Sequence, residues 1–249
     1  MDITLELLLI AFATSLFAGV IDAVAGGGGL TILPVLMLLG LSPAQALGTN
    51  KLQAIFGKLS SVRYFMRVGL IDFSAIKVPM ICSFIGAGLG AYAVQRIPTD
   101  VLLTLVPYLI ALAGLYIAFS PRLGDKELTA RIGMTAYGFT TAPLVAFYDG
   151  FLGPASGSFF IISFISLLGF SLAKATAHAK LLLIASNLSA LLMFVLGGQV
   201  LWRVGLVMAV GQWIGARYGS ALVHHKGAKV AKPMLLAMCS LMLGKLLFS

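Results

Sequence analysis

Charge is what this sequence has least of. Asp, Glu, Lys and Arg together make up 10% of 249 residues, against 60% hydrophobic residues. That is too little charge to cover a water-facing surface of this size, and it excludes an ordinary soluble domain. Acid is scarcer still, at 8 residues against 17 Lys and Arg. In a soluble chain the resulting net charge of +9 would point to nucleic acid. Here the basic residues sit in short connections between apolar runs, where the positive-inside rule accounts for them, and no nucleic-acid partner is expected. The two cysteines, Cys82 and Cys239, both lie in apolar runs and read as buried thiols rather than a disulfide or metal pair. Signatures of catalysis are missing too: no HExxH, no GxSxG, no GxxxxGK[ST] and no acid pair flanking a nucleophile. The chain is therefore expected to be no enzyme, to use no cofactor or metal, and not to hydrolyse ATP itself. The start, MDITLELLL, lacks the basic region of a signal peptide and reads as the first span.

What is abundant is glycine in unusual places. Residues 25–51, AGGGGLTILPVLMLLGLSPAQALGTNK, recur in altered form at 154–180, PASGSFFIISFISLLGFSLAKATAHAK. At a constant offset of 129, Gly28 falls on Gly157, Gly40 on Gly169, Ser42 on Ser171, Lys51 on Lys180 and Ser60 on Ser189. Further on, Ile85, Gly86, Ala87 and Gly90 fall on Ile214, Gly215, Ala216 and Gly219. The chain is an internal duplication, with a first repeat over 1–121 and a second over 128–249. Paired apolar halves with a glycine-broken segment at matching positions are the mark of a secondary transporter.

Hydropathy gives five segments per half: 4–24, 30–40, 43–67, 74–96 and 100–119, then 131–149, 157–169, 172–197, 203–224 and 230–248. The second of each half is too short for a hydrocarbon core of roughly 30 Å and reads as a half-helix. If all ten cross with the N-terminus outside, Arg63, Arg67, Lys77, Arg122, Lys126, Arg131, Lys174, Lys226, Lys229 and Lys232 lie inside. Arg96, Arg203 and Lys245 lie outside, and removing the short pieces worsens this balance. An odd number of segments per repeat inverts the second half. The expected fold is thus an all-α polytopic membrane protein of two inverted-topology repeats, about eight full spans plus two short broken helices. Both termini are expected in the periplasm. Arg67-Val68-Gly69-Leu70 recurs as Arg203-Val204-Gly205-Leu206 at an offset of 136, which implies a local insertion or deletion.

Four glycines in a row cannot be a helix interior, so Gly26, Gly27, Gly28 and Gly29 are expected to form a loop, with a helix starting at Leu30. In a bilayer such a loop survives only when buried in protein or lining a wet cavity. Its N–H groups, backed by the positive end of the next helix, make an anion nest. The counterpart loop, Gly153 to Ser158, adds the hydroxyls of Ser156 and Ser158 beside Gly157. The competing reading is that these glycines serve close helix packing. Ser42 and Pro43 read as N-cap and first position of the third segment, with Ser171 repeating the cap. Two turns further in come Thr49, Asn50 and Lys51, matched by His178 and Lys180. A lysine deep in a span costs on the order of 3 kcal/mol or more unless paired or wet, so two at equivalent positions point to a cationic site. The alternative is structural pairing with Asp22 and Asp149, such as Lys51 with Asp22. These acids are offset by 127 rather than 129. Asn187, Gln53 and Gln212 read first as interhelical hydrogen-bonding groups and second as further polar contacts of the site, and His178 reads equally as a proton relay or a packing histidine.

The runs AGGGGLTILP, LSPAQALGTNKLQ, YDGFLGPASGSF, FSLAKATAHAKLL and GQWIGARYG resemble the TauE/SafE, or sulfite exporter, family of bacterial membrane proteins, over nearly the whole chain. The resemblance implies a multi-pass transporter of the cytoplasmic (inner) membrane that moves small sulfur-containing anions such as sulfite or organosulfonates; the sequence leaves monomer and homodimer both open. An anion channel, or a carrier of another small organic anion, stays open beside it.

Overall fold

The computed structural model describes residues 5–102, 108 and 127–226. The expected segments 100–119 and 230–248, with Arg122, Lys126, Lys229, Lys232, Cys239 and Lys245, lie wholly or mostly outside the described residues. Within them the chain is all-helical and multi-pass in character. Its elements are α1 (Leu5–Ala25), α2 (Gly28–Leu38), α3 (Pro43–Arg67), α4 (Phe73–Val94), α5 (Met134–Phe139), α6 (Thr141–Phe151), α7 (Ser156–Leu168), α8 (Leu172–Leu196) and α9 (Trp202–Lys226). Three helices among the described residues, in α1, α4 and α8, are long and apolar enough to cross a membrane. Their outer faces carry large apolar side chains such as Phe17, Leu89 and Leu196, which an aqueous surface would penalise and lipid would not.

α2 and α7 hold 11 and 13 residues, about 16–20 Å of helix. Each ends on a glycine in the left-handed region, Gly40 at φ +90° and Gly169 at φ +69°, which turns the chain into the next long helix. α3 and α8 both span 25 residues and begin 129 positions apart. Ser42 caps α3 through a capping box with Gln45: Gln45 N–H donates to Ser42 Oγ at 3.3 Å and Ser42 N–H to Gln45 Oε1 at 3.2 Å. Ser171 repeats the backbone angles, φ −61° and ψ 157°, but its side chain makes no cap bond. The residue matching Gln45 is Lys174, and its ammonium is occupied by Glu127 at 3.0 Å and by the Phe170 ring. The caps are equivalent in backbone and different in chemistry.

Two further expectations are corrected. The segment 131–149 is broken at Thr140 into α5 and α6. Pro143 has no N–H for the carbonyl of Phe139, which interrupts the helical ladder there, while Thr140 N–H and Oγ1 both donate to Ala136 O, at 3.1 and 2.7 Å. The equivalent of Gly69 (φ +72°), which ends α3, is Gly198 (φ +67°), which ends α8, at the standard offset of 129. The Arg-Val-Gly-Leu match at 136 therefore marks no insertion.

The two halves pack crosswise. α9 lies against α1, and α4 against α6. Gly86 and Gly90 of α4 face Pro143 and Phe147, and Gly215 and Gly219 of α9 face Leu16 and Val20. Side chains there would drive the backbones apart, so small residues set these distances. Buried apolar residues gather in two clusters, one around Phe160, Phe164 and Tyr137, the other around Leu33, Leu47 and Phe194. Cys82, on α4, is a free, half-buried thiol.

Candidate functional site

The glycine run breaks the chain for only two residues. Gly26 takes φ +74°, Gly27 is the N-cap of α2, and Gly28 and Gly29 already form its first turn, two residues earlier than the Leu30 start expected. The second break covers residues 152–155, with Gly153 at φ +87° and Ala155 at φ +63°, and Ser156, Gly157 and Ser158 open α7. Neither loop is as long as the sequence implies, because isolated first-turn glycines and serines are compatible with helix once the N-terminal N–H groups need no intrahelical partner.

The breaks meet backbone to backbone. A Cβ placed on Gly157 would sit 2.6 Å from Gly26 Cα and 2.7 Å from Gly26 O, closer than any real contact. A Cβ on Gly29 would stand 3.5 Å from Pro154 Cα and 3.6 Å from Asn50 Nδ2. Glycine at 26 and 157 is thus required by close approach. Neither α2 nor α7 has a side-chain cap; Leu30 N–H donates to the Gly27 carbonyl at 3.0 Å and Ser156 N–H to the Gly153 carbonyl at 3.2 Å, and the positive ends of both helices lie at the junction.

Around the junction lies a buried charge cluster. Lys51, on α3, pairs with Asp149 of α6: Nζ is 3.0 Å from Oδ1 and also donates to the Asp149 carbonyl. Lys180, on α8, pairs with Asp22 of α1: Nζ is 3.0 Å from Oδ2 and also donates to the Asp22 carbonyl. The pairing is crossed between the repeats, so the expected pairing of Lys51 with Asp22 within one half is corrected. Ser156 Oγ and Ser186 Oγ donate to the two oxygens of Asp149, each at 2.5 Å. Lys51 and Lys180 are 1% and 0% exposed, so both ion pairs stand in a low-dielectric interior.

A third cation completes the cluster, and sequence reasoning passed over it. Lys58, one face of α3 further along from Lys51, stands 3.2 Å from Asp22 Oδ2 and is also buried. Its repeat counterpart is Asn187, which donates to the Leu183 carbonyl at 2.6 Å. The signal available was a lysine within a span, two helical turns from Lys51; searching for matched pairs hid it. Asn50, Gln53 and Lys58 of α3, both breaks, Asn187 and Gln212 line a small polar cavity with room for a water molecule or little more.

Two expected site residues lie elsewhere. Thr49 Oγ1 accepts the N–H of Leu201 at 3.1 Å, just before α9. His178 Nδ1 donates to the Lys174 carbonyl at 2.9 Å, leaving Nε2 to accept the N–H of Asp72 at 3.4 Å, just before α4. These are matched contacts, since Thr49 and His178, and Asp72 and Leu201, are both 129 apart. Each half uses its third helix to hold the start of the other half's fourth. The Phe164 and Phe170 rings pack on His178. Asp72 itself caps α4, accepting from Ser74 N–H at 2.9 Å and Ser74 Oγ at 2.6 Å, and these bonds hold its carboxyl below the usual carboxylate range.

No group of three or more His, Cys, Asp or Glu able to hold a metal occurs among the described residues. The sequence matches the family "Sulfite exporter TauE/SafE" over residues 11–246. It is 46% identical over 242 residues to the probable membrane transporter protein YfcA of Escherichia coli strain K12, covering 97% of this chain and 90% of the relative. It is 42% identical over 248 residues to a probable membrane transporter protein of Haemophilus influenzae, covering 100% and 97%. A more distant relative, the probable membrane transporter protein YunE of Bacillus subtilis, is 25% identical over 241 residues, covering 86% and 88%. No solved structure matches the chain. The glycine-broken short helices, the repeat and these likenesses over nearly full length agree: the chain belongs to the sulfite exporter TauE/SafE family of membrane transporters.

Proposed function

We infer that the protein is a secondary transporter of small sulfur-containing anions such as sulfite or organosulfonates, bound where the two broken helices meet. The observation that carries this reading is the junction itself: two uncapped helix N-termini and a buried cluster of three lysines against two aspartates. An oxyanion fits such a place, because first-turn N–H groups and ammonium groups both donate. The binding residues in this reading are Gly26, Gly27, Gly28, Gly29, Asn50, Lys51, Ser156, Gly157, Ser158 and Lys180, with Asp22 and Asp149 as charge partners. Thr49 and His178 act by holding the helix starts next to the site.

In the same reading the halves 1–121 and 128–249 are inverted repeats of one membrane domain in the bacterial inner membrane, with both termini periplasmic. The reciprocal packing of α1 on α9 and α6 on α4 supports the pseudo-twofold relation. The small size of the cavity supports an occluded conformation, from which alternate opening of the halves would admit substrate.

A thermal-shift screen of the purified protein against sulfite, thiosulfate and short organosulfonates tests the reading, since a bound ligand stabilises by mass action. Stabilisation by these anions, together with counterflow of the same anion in proteoliposomes, is the expected result. Single-channel currents would instead establish a channel.

A further inference from the structure

We propose that the cavity, on opening, receives one small anion of single charge, and that Lys58, the one lysine of the cluster without an acid of its own, is the cation that balances it. This deepens the transport reading above and rests on it only for the presence of an anion site.

The argument begins with the charge inventory. Lys51 is satisfied by Asp149, whose two oxygens also take the hydroxyls of Ser156 and Ser186. Lys180 is satisfied by Asp22 through both carboxylate and carbonyl. Lys58 has only a share of Asp22 Oδ2, the oxygen Lys180 already holds at the shorter distance. The cluster thus carries one positive charge more than it can neutralise, in an interior where an uncompensated charge is costly. One negative charge from outside balances it, whereas a dianion would reverse the imbalance.

A second observation points to the same place. The side-chain oxygens of Gln53 and Gln212 are buried and without a hydrogen-bond partner, and both residues line the cavity beside Lys58. A native interior rarely leaves such atoms unpaired unless something else occupies them. Gln53 Nε2 donates to Asn50 Oδ1 at 2.7 Å. Amide oxygen and nitrogen are assigned rather than seen, so turning both amides over keeps this bond with donor and acceptor exchanged. That arrangement satisfies the Gln53 oxygen and frees its NH₂ for the cavity. The donors toward an oxyanion are then the Lys58 ammonium and the Gln53 amide, beside the first turn of α2 at Gly29; the Asp22 and Asp149 carboxylates that also line the cavity are held by Lys180 and Lys51.

The repeat sharpens the test. Asn187 occupies the position of Lys58 in the second half and lines the same cavity, so the inventory can be raised or lowered by one charge at equivalent places. The full-length protein is titrated calorimetrically with methanesulfonate and acetate as monoanions, sulfate and sulfoacetate as dianions, and dimethyl sulfone as the neutral isostere. The wild type is expected to prefer a monoanion over the dianions by about tenfold or more and to ignore the sulfone, the worth of one charge-assisted hydrogen bond. Lys58→Gln should lose about tenfold or more in monoanion affinity, Lys58→Arg should keep it, and Asn187→Lys should shift preference to the dianion. Should Lys58→Gln fail to fold, Asn187→Lys and Lys58→Arg still decide the matter. Unchanged affinity in Lys58→Gln, a dianion preference in the wild type, no shift in Asn187→Lys, or no binding of any probe overturns the proposal. Acetate binding that depends on Lys58 while methanesulfonate is rejected would uphold the valence and remove the sulfur-anion reading; Lys58-independent methanesulfonate binding would do the reverse.

Discussion

Removing the two long-range lysines should have unequal consequences, and the inequality is set by what each leaves behind. Lys51→Met strips Asp149 of its ion pair, but the hydroxyls of Ser156 and Ser186 still donate to both carboxylate oxygens. Breaking a buried pair by deleting one partner costs about 3–5 kcal/mol, and with two donors retained Lys51→Met belongs near the lower end, about 3 kcal/mol. Lys180→Met leaves Asp22 with Lys58 3.2 Å away, a ready replacement, so its cost is expected at about 1–2 kcal/mol. Asp22→Asn is the severest, since Lys180 and Lys58 then face each other without an acid, and about 5 kcal/mol is expected. The assay is the free energy of unfolding in mixed micelles titrated with sodium dodecyl sulfate, for each single variant and for two double variants. Lys51→Met with Asp149→Asn should return to within about 1 kcal/mol of the wild type, because it removes both charges of one pair. Lys51→Met with Asp22→Asn should be worse than either single change. Recovery in this second double variant, with none in the first, would refute the crossed pairing.

Other outcomes follow from the close approaches and the caps. Gly157→Ala should destabilise by more than about 2 kcal/mol, since its methyl meets the backbone of Gly26, whereas Gly40→Ala, with nothing within 4 Å, should cost only the roughly 1–2 kcal/mol of its left-handed backbone; the same micelle titration compares them. Thr49→Val and His178→Phe should each cost about 0.5–1.5 kcal/mol and speed amide hydrogen exchange at Leu201 and Asp72 respectively, with no more than a small effect on anion affinity. The Asp72 cap stabilises the folded state above the ordinary carboxylate range and is lost only as pH falls through its lowered folded value; exchange at Ser74 and Ala75 should therefore stay slow through the ordinary range and rise below it. Reporter fusions at Ser249 should be silent in the cytoplasm if the C-terminus is periplasmic, and a cytoplasmic signal there would remove the ten-segment topology.

The parts of this molecule governed by backbone chemistry were readable in sequence. Consecutive glycines, the Ser42-Pro43 start and the repeat offset located the breaks and the ends of α3 and α8 to within about two residues. What involved a choice among chemically equal partners was not readable. Nothing in residue type distinguishes Asp22 from Asp149 as the partner of Lys51, because the crossing is created by helix packing. The offset of 127 between the acids did carry information: the second break spans 152–155 and the first only 26–27, so two extra residues shift everything before it. Thr49 and His178 misled because polarity inside an apolar helix looks the same whether it serves a ligand or the N–H of a neighbouring loop. The split at Thr140 was missed because Pro143 lies in a run whose hydropathy is uninterrupted.

The crossed pairing bears on how the chain is built during synthesis. When the first half enters the bilayer, Asp22 already has Lys58 from its own half, while Lys51 must wait for α6 and Asp149. The second half arrives with Asp149 and Lys180, and neither has its cross-repeat partner until the halves dock. Lys58, which shares one Asp22 oxygen with Lys180 in the completed fold, is in this sense the partner that needs no docking of the halves. Separately expressed halves are accordingly expected to find each other in the membrane, with the second half alone the more readily degraded.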